Sequence, residues 1–131
     1  MTLDPTTLLG QVFPDLDEDS LHDITTFAKI TSHPAGTLLC EEGAMQDVFY
    51  IIGEGQVVIS QKMETEERVL RYCGPGEYFG EMALVADTPR NASVRTTVDS
   101  TFLEIDKEIF LAMIRAFPTD PTVGKGGRTV L

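Results

Sequence analysis

Apolar residues along this chain fall in two rhythms, and the changes between them divide it into three parts. In the first part Leu8, Leu9, Val12 and Phe13 share one helical face. Asp4 and Pro5 open that helix as an N-cap acid and a first-turn proline, and Pro14 ends it. Leu21, Ile24, Phe27 and Ala28 repeat the helical spacing in a second segment that starts at Asp17 or Ser20, with acids in its first turn. From His33 onward the period shortens. Thr37-Leu38-Leu39-Cys40, Val48-Phe49-Tyr50-Ile51-Ile52, Gln56-Val57-Val58-Ile59-Ser60-Gln61 and Arg68-Val69-Leu70-Arg71-Tyr72-Cys73 read as strands, as do residues 93–97 and 101–105. Turns at Gly36, at Gly43 and at Gly53-Glu54-Gly55, with a polar hairpin tip over residues 63–67, separate them. In the third part the helical rhythm returns: Asp106 caps a segment over 107–117 that carries Ile109, Phe110, Met113, Ile114 and Phe117 on one face, and Pro118 stops it. The expected organisation is one domain over residues 1–117 and a flexible tail over 118–131. The expected fold is mainly β, an antiparallel jelly roll (double-stranded β-helix) with flanking N- and C-terminal helices.

One stretch interrupts the strand pattern. Between Gly74 and Val94 the chain reads GPGEYFGEMALVADTPRNASV. Gly74-Pro75-Gly76 is a turn, and Gly80 leaves the backbone open to whatever lies above it. Glu81-Met82-Ala83-Leu84-Val85 reads as a single helical turn, whose first amides lack intrahelical partners and converge as an anion site. Arg90, behind Thr88-Pro89, is the only cation in the stretch. A short helix start with one arginine suits one phosphate, and Glu81 beside it suits a hydroxyl donor such as a ribose 2′-OH. The chemistry expected of the ligand is one negative charge and a sugar.

Phe79-Gly80-Glu81-Met82-Ala83-Leu84 followed by Pro89-Arg90-Asn91-Ala92-Ser93-Val94 resembles the phosphate-binding cassette of cyclic nucleotide-binding domains. That family includes the regulatory subunits of cyclic-AMP-dependent protein kinase and the catabolite activator protein. The spacing from Glu81 to Arg90 matches the kinase regulatory subunits without a gap, and the resemblance spans roughly residues 13–117. It implies the same jelly roll and a role for each matched residue. Arg90 would hold the phosphate with Ala83, Asn91 and Ala92. Gly80, Glu81 and Met82 would take the ribose, and Ile59, Leu70 and Cys73 would wall the base. The implied ligand is cyclic AMP, with cyclic GMP as the alternative, and no further cofactor is implied. In the family, alanine directly after the arginine goes with cyclic AMP and threonine with cyclic GMP; Asn91 departs from both. The family also follows its last helix with another that closes over the base. Pro118, Pro121 and three glycines oppose such a helix here. The pocket is then open, its lid comes from a second subunit of a homodimer, or the chain is a piece of a larger regulator.

Composition narrows the remaining choices. Over 131 residues the net charge is −11, which opposes nucleic-acid binding through a basic face and favours a small mono-anion held by a local pocket. Residues 119–131 are too short and too broken for a helix-turn-helix. No apolar run approaches a membrane span, and the N-terminus has no signal-peptide pattern. Cys40 and Cys73, without close pairing, read as reduced buried thiols of a cytoplasmic protein. A metal enzyme on a jelly roll would need clustered histidines, and the chain has only His22 and His33, one on a helix and one in a turn. The expected role is a regulatory sensor, not an enzyme, acting on an unidentified effector domain or protein. The alternative is a degenerate domain that keeps the fold and binds only protein.

Overall fold

The computed structural model describes residues 4–115. The expected tail from residue 118, and Phe117 at the end of the last expected helix, lie outside the described residues. Two helices come first, α1 (Pro5–Val12) and α2 (Glu18–Phe27). The Asp4 carboxylate accepts from Thr6 N and Thr7 Oγ1, and the Asp17 carboxylate accepts from Ser20 N. These bonds hold both carboxyl groups below the ordinary aspartate range. Eight strands follow: β1 (Lys29–His33), β2 (Leu38–Cys40), β3 (Val48–Glu54), β4 (Val57–Lys62), β5 (Glu67–Cys73), β6 (Tyr78–Phe79), β7 (Ser93–Thr96) and β8 (Ser100–Asp106). A short helix α3 (Glu81–Ala86) interrupts them, and α4 (Lys107–Arg115) closes the described chain.

The strands form two four-stranded antiparallel sheets, ordered β1-β8-β3-β6 and β2-β7-β4-β5. Their alternation in sequence sorts the core into two compartments. On β3, Phe49 and Ile51 point toward the helices, where they meet Leu9, Ile24, Phe110 and Met113. Tyr50 and Ile52 point the other way, into a space between the sheets shared with Val57, Ile59, Phe79 and Phe102. Even the two-residue β6 is divided, with Tyr78 on the helix side and Phe79 between the sheets. Burial of β3 on both faces explains why it reads as an unbroken apolar run. Each such side chain contributes about 1.5–3 kcal/mol by leaving water. Ring contacts bind each compartment: Phe49 stacks on Phe110 at 4.5 Å, and Tyr50 on Phe79 at 5.0 Å.

The structure corrects the expected elements at a few points. β1 was not expected as a strand; Ile30 is 46% exposed, so the strand lacks a buried alternation. Gly53 and Glu54 belong to β3, and the turn falls on Gly55 with φ +97°. There a Cβ would lie 2.8 Å from the Ser100 backbone, which only glycine avoids. Residue 37 precedes β2, and β6 appears where a loop was expected. Cys40 and Cys73 are both free and buried. Among the described residues no helix is long and apolar enough to cross a membrane.

Candidate functional site

The interrupting stretch leaves β5, contributes β6 to the opposite sheet, turns through α3 and returns at β7 to the sheet it left. Its start is pinned by Glu77. One oxygen of this carboxylate accepts from Gly74 N at 3.0 Å and the other from Arg71 Nη2 at 2.5 Å. Backbone bonds from Gly76 N to Ile52 O and from Ile52 N to Glu77 O tie the turn to β3. After β6 the chain reaches Gly80, whose φ of +94° makes it a left-handed N-cap of α3 without a side-chain cap. Only glycine takes that conformation cheaply, and here it is required twice. A Cβ on Gly80 would sit 2.5 Å from Arg90 Nη1.

Arg90 is the centre of the arrangement. It is 4% exposed, although it carries a charge that burial disfavours. Nη1 donates to Gly80 O at 2.7 Å and Nη2 to Val48 O at 2.5 Å, so the guanidinium bridges the start of α3 and the start of β3. Its Nε is buried and has no hydrogen-bond partner among the described residues. A guanidinium offers five N–H donors, so this geometry leaves donors for an acceptor that the described residues do not supply. The Arg90 main chain is held just as firmly. Its N–H donates to Ala44 O, and its carbonyl accepts from Gly43 N. Beyond it, Asn91 O accepts from Gln61 Nε2 at 2.7 Å, and Ser93 Oγ accepts from Glu42 N at 3.0 Å.

The charge of Arg90 reaches into the space between the sheets. Burial pushes the Cys40 thiol up to about 11, an effect that Arg90 partly offsets. Burial also raises the Tyr50 hydroxyl; Glu104 and Cys40 add to this and Arg90 opposes it. The Cys73 thiol is raised by burial and drawn back by Arg71. Both thiols therefore remain protonated near neutrality and are poor nucleophiles.

The structure brings most of the expected site residues together. Gly80 and Arg90 touch, and Glu81 follows Gly80 as the first residue of α3 with both carboxylate oxygens shielded from solvent. Met82 and half-buried Ala83 continue α3. Ala92 is buried between the sheets in the same cluster as Ile59 and Cys73, with Leu70 packed at its edge. Asn91 is exposed beside them. The sequence reading expected the turn at Gly43 but did not connect it to Arg90, nor did it assign to the loop the carbonyl of Val48 or the side chains of Gln61, Arg71 and Glu77. Main-chain contributors carry no residue-type signal. Arg71 had one, an isolated cation among residues expected to face a ligand.

The loop thus buries an arginine against a left-handed glycine, between two antiparallel sheets with a helical layer outside. Residues 30–117 match the cyclic nucleotide-binding domain family, and the chain belongs to that family. It is 36% identical over 107 residues to a cGMP-dependent protein kinase, isozyme 2, of Drosophila melanogaster, a match covering 79% of this chain and 12% of the kinase. It is 33% identical over 87 residues to the cyclic AMP receptor protein of Thermus thermophilus, covering 66% of this chain and 40% of the receptor. The regulatory domain of Toxoplasma gondii PKA, solved with cAMP, superposes with a TM-score of 0.80 at 28% identity, over 92% of this chain and 45% of that one. The chain thus spans a minor part of the curated relatives it matches.

Proposed function

We propose that this chain is a sensor that binds a cyclic nucleoside monophosphate and passes its occupancy to an effector domain or protein. The observation that carries the reading is Arg90, buried and tethered to two carbonyls, with no acceptor for its Nε–H among the described residues. Arg90 takes the phosphate, with the main chain of Ala83, Asn91 and Ala92 completing the cradle. Gly80 and Met82 border the ribose, and Glu81 accepts from its 2′-OH. Ile59, Leu70 and Cys73 wall the base. Leu84, 2% exposed, lies in the helix-side compartment with Phe110 and Met113, so a shift of α3 is felt by α4. Coupling of this kind requires that the ligand prefer one arrangement of α3 over another.

Cyclic AMP is the favoured ligand, supported by the similarity to the regulatory domain of Toxoplasma gondii PKA solved with cAMP. One observation favours cyclic GMP instead. Arg71 pairs with Ile59 across β4 and β5, which puts it on the face that looks between the sheets, next to Cys73. Guanine presents two acceptors, O6 and N7, that one guanidinium takes together, whereas adenine places a donor at the corresponding position.

Calorimetric titration of both nucleotides tests both readings. Wild type binds at least one of them, and Arg90→Ala weakens that binding about tenfold to several hundredfold, the worth of one or two charge-assisted hydrogen bonds. Arg71→Met leaves the cyclic AMP affinity in place if adenine is preferred, and lowers cyclic GMP affinity selectively if guanine is. Absence of heat from either nucleotide at about millimolar concentration, a −4 kcal/mol threshold, overturns the proposal and leaves the protein-only domain as the reading.

A further inference from the structure

Gln61 is a polar residue near the end of a strand, a position where a solvated side chain is the ordinary expectation. It is instead committed to the cassette. The β4–β7 ladder ends with the pair Ser60 and Ser93. One residue further along β4, Gln61 replaces the missing ladder contact with its side chain, donating from Nε2 to the carbonyl of Asn91 at 2.7 Å. Because the acceptor is a carbonyl, only the amide nitrogen of Gln61 can face it. The neighbouring residue of β4 strengthens the arrangement: Lys62 N donates to Glu42 Oε1, while Glu42 N donates to Ser93 Oγ. The peptide after Asn91 is therefore held from outside by β4, the peptide after Arg90 by Gly43, and the peptide before Arg90 by Ala44.

Asn91 is the residue this hold acts on. Its carbonyl is occupied by Gln61 and its side chain is exposed. A carboxamide carries both a donor and an acceptor, so its value in choosing between two bases depends on which way its Cα is turned. We propose that Gln61 is a positioning residue for base selectivity: by fixing the Asn91 carbonyl it sets the direction in which the Asn91 carboxamide meets the nucleotide. The inference rests on the nucleotide-binding reading above. It concerns the ratio of affinities, while Arg90 concerns affinity for both nucleotides.

The experiment is a thermodynamic cycle read by titrating cyclic AMP and cyclic GMP into wild type, Gln61→Met, Asn91→Ala and the double variant. Methionine keeps the length of glutamine and removes the donor. Gln61→Met is expected to change the cyclic AMP to cyclic GMP affinity ratio about fivefold, the scale of one net hydrogen bond. In the Asn91→Ala background the same substitution is expected to leave the ratio unchanged, because the group it orients is gone. Gln61→Lys, which restores a donor of sufficient reach, brings the ratio back toward wild type. A ratio constant within about twofold in Gln61→Met overturns the proposal, as does an equal change with and without Asn91. If both nucleotides weaken together, Gln61 only supports the fold, and the proposal also fails. These failures leave Arg90-dependent binding by wild type intact, whereas failure of wild type to bind either nucleotide removes the functional reading and this inference with it.

Discussion

The two arms that meet at Arg90 are built differently. The arm over residues 90–94 is held through main chain on almost every residue: Arg90 to Gly43 and Ala44, Asn91 to Gln61, and Ser93 and Val94 in register with Ser60 and Ile59. The arm over residues 80–87 is a six-residue helix, a length that does not sustain itself in water. It is tied down by Leu84 in the helix-side compartment, by the Arg90 bond to Gly80 O, and by an ion pair from Asp87 to Lys107 at 2.7 Å. The positive charge of Arg90 thus sits on the arm bonded through its main chain, while the helical arm carries Glu81 and Asp87 and is held mainly through side chains.

The contrast can be broken most severely at its junction. Gly80→Ala places a Cβ 2.5 Å from Arg90 Nη1 at a φ that alanine rarely takes. Left-handed strain together with loss of the tether is expected to cost about 4 kcal/mol in urea melts and to abolish nucleotide binding. Wild-type affinity in that variant would show that the two arms are independent. Leu84→Ala comes next. Removing a side chain that is 2% exposed is expected to cost about 3 kcal/mol. It should also quicken hydrogen exchange of α3 amides more than those over residues 90–94. Equal acceleration in both arms would erase the distinction.

The smallest effect belongs to the Asp87–Lys107 pair. Its mutual hydrogen bond holds Asp87 below its ordinary value of 3.8 and Lys107 above its ordinary 10.5. The sign follows directly. The Asp87 contribution is complete above 3.8 and is lost as pH falls through the lowered value, while the Lys107 contribution is complete below 10.5 and is lost as pH rises through the raised one. Asp87→Asn should therefore lower the melting temperature slightly at pH 7 in about 0.05 M salt, and the difference should close in about 1 M salt or in strong acid. A difference that persists in strong acid would mean that Asp87 contributes by something other than its charge.

How far these features could be read in the sequence depended on whether side chains announce them. The antiparallel sandwich was legible because short runs rich in β-branched and aromatic residues alternate with glycine turns, whereas the division of its core into two compartments was not. β1 was not, because its exposed Ile30 and polar neighbours bury too little to leave a pattern, and β6 is too short to have a period. Gly80, Glu81 and Arg90 were legible as an unusual backbone position flanked by opposite charges. The partners that make Arg90 work were not. Val48 and Ala44 contribute carbonyls that any residue would carry, and Gln61 is indistinguishable in sequence from a solvated strand end. Arg71 could have been found, had its place on β5 been weighed together with that of Ile59 on β4.

The two-sided burial of β3 bears on how the domain comes apart. Phe49 and Tyr50 are adjacent in the chain yet serve different compartments, so the helical layer cannot peel away without exposing the back of the strand that lines the sandwich. Unfolding is therefore expected to be a single cooperative event in which helices and sheets melt together. Rearrangement of the helices within the folded state must then take the form of sliding over Phe49 and Ile51, a motion that keeps the strand covered throughout.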